Sequence, residues 1–169
     1  MTILGIDPGL LQTGYGIIKI NNNSRTVLDY GTITPPPKEN LSIRLSTIYK
    51  DLLIIIDKYL PNIVVIEEVF YGKNIKSALL LGHARGVAMV CASKYNIPVF
   101  EYSARKVKQS VTGNGNADKT QVKFMVEKEL NIKNINAPID ASDALAIALC
   151  HIHQVKVNEL WLNLFQVIY

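Results

Sequence analysis

Charge is scarce in this 169-residue chain: 19% of residues are Asp, Glu, Lys or Arg, against 49% hydrophobic. That balance excludes a disordered or heavily solvated chain and fits a globular core. Cysteine is scarcer still. Cys91 and Cys150 are the only two, both within helical patterns; a disulfide framework and a thiolate metal site are excluded, and both read as buried thiols in a reducing compartment. No uninterrupted apolar run nears the roughly 18 residues needed to span a bilayer. The start lacks the basic, apolar and small-residue pattern of a leader, so the expectation is a cytoplasmic protein with no membrane segment. No Ser-His-Asp arrangement or Cys-His pair competes as a nucleophile. Internal repeats and linkers are also lacking, and the length suits one domain.

What is present is unevenly spread. The net charge is +4, yet residues 70–128 hold ten Lys or Arg against three acids, leaving the rest of the chain net negative. A basic segment of this kind suits one face toward a polyanion, or a solvated Lys-rich surface. Along the chain, Thr2–Asp7, Gly14–Ile20 and Arg25–Thr34 read as strands joined by short turns, an antiparallel start that Pro35-Pro36-Pro37 ends. Leu41, Leu45, Ile48, Leu52, Ile55 and Tyr59 form a helical stripe that stops before Pro61. Ile63–Glu68 is β-branched without alternation, as in a strand covered on both faces. Helices then follow at about 75–95, after Ser103, at 118–130 and from Asp140 to about His153, with a short strand at Pro98–Tyr102. The order predicts an α/β domain over 1–156, with a mixed five-stranded sheet, three antiparallel strands then two parallel, and helices on both faces. An apolar tail, 157–169, follows; it suits either a helix packed on the domain or a segment that docks a partner.

The acids are the chemistry. Asp7 ends an apolar strand and precedes a Pro8-Gly9 turn; the glycines near it read as chain-turning residues. Glu67 and Glu68 end the buried strand, and either suits a role at its tip. Asp140 and Asp143 lie three apart at the start of an apolar helix, on one face. Taken alone, Asp140 suits an N-cap. Together, acids at the C-terminal ends of two parallel neighbours and on one helix face would repel and raise each other's pKa. A divalent cation removes that conflict, and oxygen-only ligands select Mg²⁺ or Mn²⁺.

Several motifs in order then resemble the RuvC family of bacterial Holliday junction resolvases, which have a ribonuclease H-like fold. They are Gly5-Ile6-Asp7-Pro8-Gly9, Thr13-Gly14-Tyr15-Gly16, Ile66-Glu67-Glu68-Val69-Phe70, Gly82-His83-Ala84-Arg85-Gly86-Val87, Val99-Phe100-Glu101-Tyr102, Val107-Lys108-Gln109 and Asp140-Ala141-Ser142-Asp143-Ala144-Leu145-Ala146. They cover about residues 2–153. The resemblance implies Asp7, Glu67, Asp140 and Asp143 as catalytic metal ligands for two Mg²⁺, with Mn²⁺ able to substitute, and it favours Glu67 over Glu68. It also implies Phe70 as a stacking platform for an unpaired base, with Lys108 and Lys119 near the scissile phosphate. Lys73, Lys76 and Arg105 of the basic segment join them as candidate DNA contacts. Implied partners are four-way junction DNA, a second copy of the chain and the RuvA–RuvB branch-migration proteins, in homologous recombination and repair.

The helix at 75–92 is apolar on most of its circumference, with Ala78, Gly82 and Gly86 as a small-residue ridge. Burial on two sides is expected, core on one and a two-fold partner on the other. His83, His151 and His153 are assigned no chemistry, the last two favouring a helix-end dipole. Three other readings compete. Actin-like ATPases and sugar kinases share the first strand-turn-strand but need a second domain and a second phosphate turn. An RNA-processing nuclease of the same fold, or a non-catalytic junction-binding scaffold, explains fewer of the motifs. The tail has no Lys or Arg, unlike the basic ends of many such resolvases.

Overall fold

The computed structural model describes residues 1–22, 24–68, 75–132 and 138–166, with side chains through residue 156. Strands β1 (Thr2–Asp7), β2 (Thr13–Asn21) and β3 (Ser24–Ile33) form an antiparallel meander. After α1 (Leu41–Tyr59), β4 (Ile63–Glu67) returns parallel to β1. After α2 (Ile75–Lys94), β5 (Val99–Tyr102) adds parallel to β4. The sheet order is β3-β2-β1-β4-β5, so the expected three antiparallel and two parallel strands are present. Helices α3 (Ala104–Thr112), α4 (Lys119–Leu130) and α5 (Ile139–Gln166) complete the described elements.

Side-chain alternation sorts the two faces. Leu4, Ile6, Ile17, Val64 and Ile66 pack with Ile48, Leu52 and Ile56 of α1 and Ala84, Ala88, Cys91 and Ala92 of α2. Ile3, Ile18 and Val65 point the other way, to Val107 of α3, Val122 and Val126 of α4, and Leu145 and Ala148 of α5. Both faces are covered, which is why β4 is continuously apolar. Both cysteines are free and buried.

Helix ends follow local chemistry. Ser103 caps α3, its hydroxyl accepting from Lys106 N–H. Asp118 stands outside α4 as its N-cap, in a reciprocal capping box with Gln121. Asp140 is different from the cap expected for it: α5 already begins at Ile139, so Asp140 sits in the first turn, where an acid suits the helix dipole. The same helix runs past His153 to Gln166. His151 and His153 are therefore mid-helix and have side-chain partners in place of a helix-end role. Tyr102 Oη lies 3.0 Å from His151 Nδ1, and His153 lies between Ser110 and Glu129; burial lowers the pKa of both.

Helix α2 packs its inner side as expected. By length and composition alone it is apolar enough to cross a membrane, but it forms a layer of this fold. Ala84, Ala88, Cys91 and Ala92 are buried, and Arg85 bonds Glu101 of β5. Its second side is not covered by the described residues. Leu79, Leu81 and Val90 are exposed, and Gly82 and Gly86 face open space.

Candidate metal centre and its cleft

Parity decides where the acids point. Ile3, Gly5 and Asp7 share one face of β1, as Val65 and Glu67 share one face of β4; this is the α5 side. Asp7 pairs with Gly14, and Ile6 with Ile66, so Asp7 and Glu67 end adjacent parallel strands at the same level. Tyr102 lies beside Glu67 on β5.

The helix reaches this edge because the sheet gives way to it. A Cβ on Gly14 would overlap the Asp140 carbonyl, one on Gly5 the Ala144 carbonyl, and one on Gly16 the Leu145 side chain. The expectation that the nearby glycines turn the chain holds for Gly9, whose Cβ would strike the Gln12 carbonyl. Gly14 and Gly16 instead seat α5 on the sheet. Their signal was legible as glycines spaced by two along a strand, a pattern of close approach by another element.

With α5 so placed, carboxylate oxygens of Asp7, Asp140 and Asp143 lie within 4.8 Å of one another. Glu67 falls outside that triad but lines the same cleft of about 250 Å³, together with Asp7, Asp143, Lys108 and Lys119. Its apolar walls are Ala104, Val107, Val122 and Ala146. Glu68 is exposed and does not line it. Lys119 Nζ donates to Asp143 Oδ2 at 2.7 Å. Among the other candidate DNA contacts, Lys76 and Arg105 are exposed and outside the cleft. Phe70 and Lys73 lie outside the described residues.

The cluster is under electrostatic stress. Burial, then the charges of Glu67, Asp143 and Asp140, pushes the Asp7 carboxyl up to about 8, with Lys119 opposing. Burial and Asp143 raise Glu67 as well, against Lys119 and Lys108. Burial pulls the Lys119 ammonium down, but the Asp143 hydrogen bond and the Asp143, Asp7 and Asp140 charges outweigh it, so its pKa is raised. Three oxygen donors at this spacing, with no nitrogen or sulfur among them, fit a hard divalent cation. Such an ion would turn mutual repulsion into shared ligation and keep Asp7 ionised at neutral pH.

Known proteins share both the sequence and this architecture. The family model described as crossover junction endodeoxyribonuclease RuvC matches residues 3–151. The RuvC of Alkaliphilus oremlandii is 50% identical over 161 residues, covering 95% of this chain and 98% of the relative. That of Ruminiclostridium cellulolyticum is 49% identical over 160 residues, covering 95% and 96%. Among solved structures, Thermus thermophilus RuvC in complex with a Holliday junction substrate superposes with a TM-score of 0.87 at 31% identity, covering 94% of this chain and 96% of that one. A yeast mitochondrial Holliday junction resolvase, at 14% identity and a TM-score of 0.70, shares the fold. A match to the family model along nearly the whole chain, two relatives near half identity and a shared fold lead to one assignment: this chain belongs to the RuvC family of crossover junction endodeoxyribonucleases.

Proposed function

We propose that this protein is a metal-dependent endonuclease that resolves four-way DNA junctions by paired, symmetric nicks. The observation that carries the reading is the meeting of three aspartates within 4.8 Å beside Glu67, Lys108 and Lys119, in a chain of this family. Asp7, Glu67, Asp140 and Asp143 would hold two Mg²⁺, with Mn²⁺ able to substitute. Ions in that position activate a water and stabilise the leaving oxygen of a phosphodiester. Lys108 from α3 and Lys119 from α4 line the same cleft, where an ammonium offsets charge gathering on a phosphate. Phe70 is assigned stacking on an unpaired base, and Lys73, Lys76 and Arg105 are assigned to the DNA backbone. The family match disfavours RNA processing, and the family match together with the intact acid set disfavours non-catalytic junction binding.

The uncovered side of α2 supports a homodimer. Leu79 and Val90 are exposed on it, and a groove between α1 and α2 is lined by Leu45, Tyr49, Gly82, Gly86, Val87 and Val90. A two-fold pair about this face would present two clefts to two opposed strands. RuvA and RuvB are further partners, in the cytoplasm where bacterial DNA lies. The test is cleavage of a labelled four-way junction and a matched linear duplex, each with Mg²⁺ or with EDTA. Paired nicks confined to the junction, needing Mg²⁺, are expected. Equal cutting of both substrates, or cutting that survives EDTA, overturns the assignment.

A further inference from the structure

The two lysines of the cleft come from different helices, and one exposed side chain ties those helices together. Helix α3 ends with Gly113 in the left-handed region at φ 77°, its N–H returning to the Gln109 carbonyl. The Gln109 side-chain amide then grips the loop that follows. Its Nε2 donates to the Gly113 carbonyl at 2.7 Å, and its Oε1 accepts from Gly115 N–H at 2.9 Å. Gly115 is pressed onto α3, where a Cβ would crowd Arg105. Two residues on, Ala117 is buried, and Asp118 closes the capping box that starts α4. The next residue is Lys119, whose ammonium reaches Asp143 in the cleft. A continuous bonded path thus runs from Gln109 to Lys119, although Gln109 does not line the cleft.

We propose that Gln109 is a positioning residue for cleavage: by holding Gly113 and Gly115 it fixes the loop that leads into α4 and so where the Lys119 ammonium stands. The inference rests on the reading of Lys119 as a phosphate-facing lysine. Gln109 is exposed, so replacing it removes nothing from the core. A residue serving only as a loop brace would change melting temperature and leave the chemistry alone. A positioning residue acts on the rate, since misplacing a reacting group by an ångström costs on the order of 100-fold.

The test uses full-length protein, single-turnover cleavage of a four-way junction with Mg²⁺, junction affinity with Ca²⁺ in place of Mg²⁺, and thermal melting. Gln109→Met keeps the side-chain length and deletes both hydrogen bonds. A cleavage rate about 10- to 100-fold lower is expected, with junction affinity within about threefold of the parent. In a Lys119→Ala background, Gln109→Met should change the rate by less than about twofold, because the group it positions is gone. Thr112→Val, which removes the hydroxyl that accepts from Asn114 N–H in the same loop, should give a smaller loss of the same kind. A parental rate for Gln109→Met, or an equal loss with and without Lys119, overturns the clamp. A parental rate for Lys119→Ala overturns the reading of Lys119 itself, and the inference with it.

Discussion

Asp7→Asn should make the metal-free protein more stable while abolishing cleavage. The carboxyl of Asp7 is raised from 3.8 to about 8, chiefly by burial and then by Glu67, Asp143 and Asp140. A carboxyl whose folded pKa lies above its unfolded value binds more protons when folded. Stability is therefore full below pH 3.8 and declines as pH rises to about 8, with no further loss above. At about 1.4 kcal/mol per pH unit the ceiling is about 5 kcal/mol at pH 8. The burden is shared with neighbouring acids and eased by water entry, so about 2–3 kcal/mol is the expected net effect. For a chain of this size that corresponds to about 4–12 °C in Tm. The assay is thermal melting in EDTA at pH 5.5 and pH 8 for both proteins, then at pH 8 with Mg²⁺. The parent should lose stability between the two pH values and regain it with Mg²⁺. Asp7→Asn should be flatter across pH, higher-melting at pH 8 in EDTA and less responsive to Mg²⁺. A variant no more stable than the parent at pH 8 without metal refutes the electrostatic account of the site.

Gly14→Ala should damage the same site from the other side, because its methyl would overlap the Asp140 carbonyl and force α5 off the sheet. Overpacking of this kind costs about 1–3 kcal/mol; a melt should record that loss, and cleavage should fall on the order of 100-fold as the aspartates separate. Unchanged melting and rate would mean that α5 does not depend on this contact. Leu79→Glu, on the exposed side of α2, should shift the protein to a monomer in sedimentation at micromolar concentration. Paired nicking should drop with it while the fold's circular dichroism is kept. A dimer that persists would direct attention to another face.

How much of this was legible beforehand follows from how local each signal is. An apolar strand ending in an acid announces itself within six residues, so Asp7 and the Glu67-Glu68 pair stood out; the choice of Glu67 came from the family resemblance, and alternation sends Asp7 and Glu67 to the α5 face. The Asp140 and Asp143 pair is likewise local, being one helical step apart. Ser103 and Asp118 were readable as caps or helix starts because capping is settled within a turn. What escaped depends on contacts between distant segments. The role of Gly14 and Gly16 turns on a helix that begins more than a hundred residues later; their spacing by two marks a close approach but not which element makes it. His151 and His153 read as helix-end residues because their true partners, Tyr102 on β5, Ser110 on α3 and Glu129 on α4, lie elsewhere in sequence. The outer side of α2, apolar by composition, was expected to face a second copy of the chain, and the described residues of one chain leave Leu79 and Val90 on it exposed.

The glycines and the carboxylates are one device. For Asp140 and Asp143 to meet Asp7, the α5 backbone must lie against β1 and β2, and only residues without a side chain permit that at Gly5 and Gly14. The same closeness strips water from Asp7 and adds Asp143 and Asp140 to the neighbouring Glu67 charge, and burial with these three acids drives its pKa to about 8. A wider helix-to-sheet spacing would relieve the charge but would leave the oxygens too far apart to share a cation. Close packing therefore sets the oxygens where a divalent ion could be shared and makes the same acids repel when none is bound. A mutation that loosens α5 should relieve Asp7 and weaken metal binding together, whereas one that removes an acid should relieve the remaining acids with the helix still in place. Comparing Gly14→Ala with Asp7→Asn separates these two outcomes, since a gain in metal-free stability belongs only to the second.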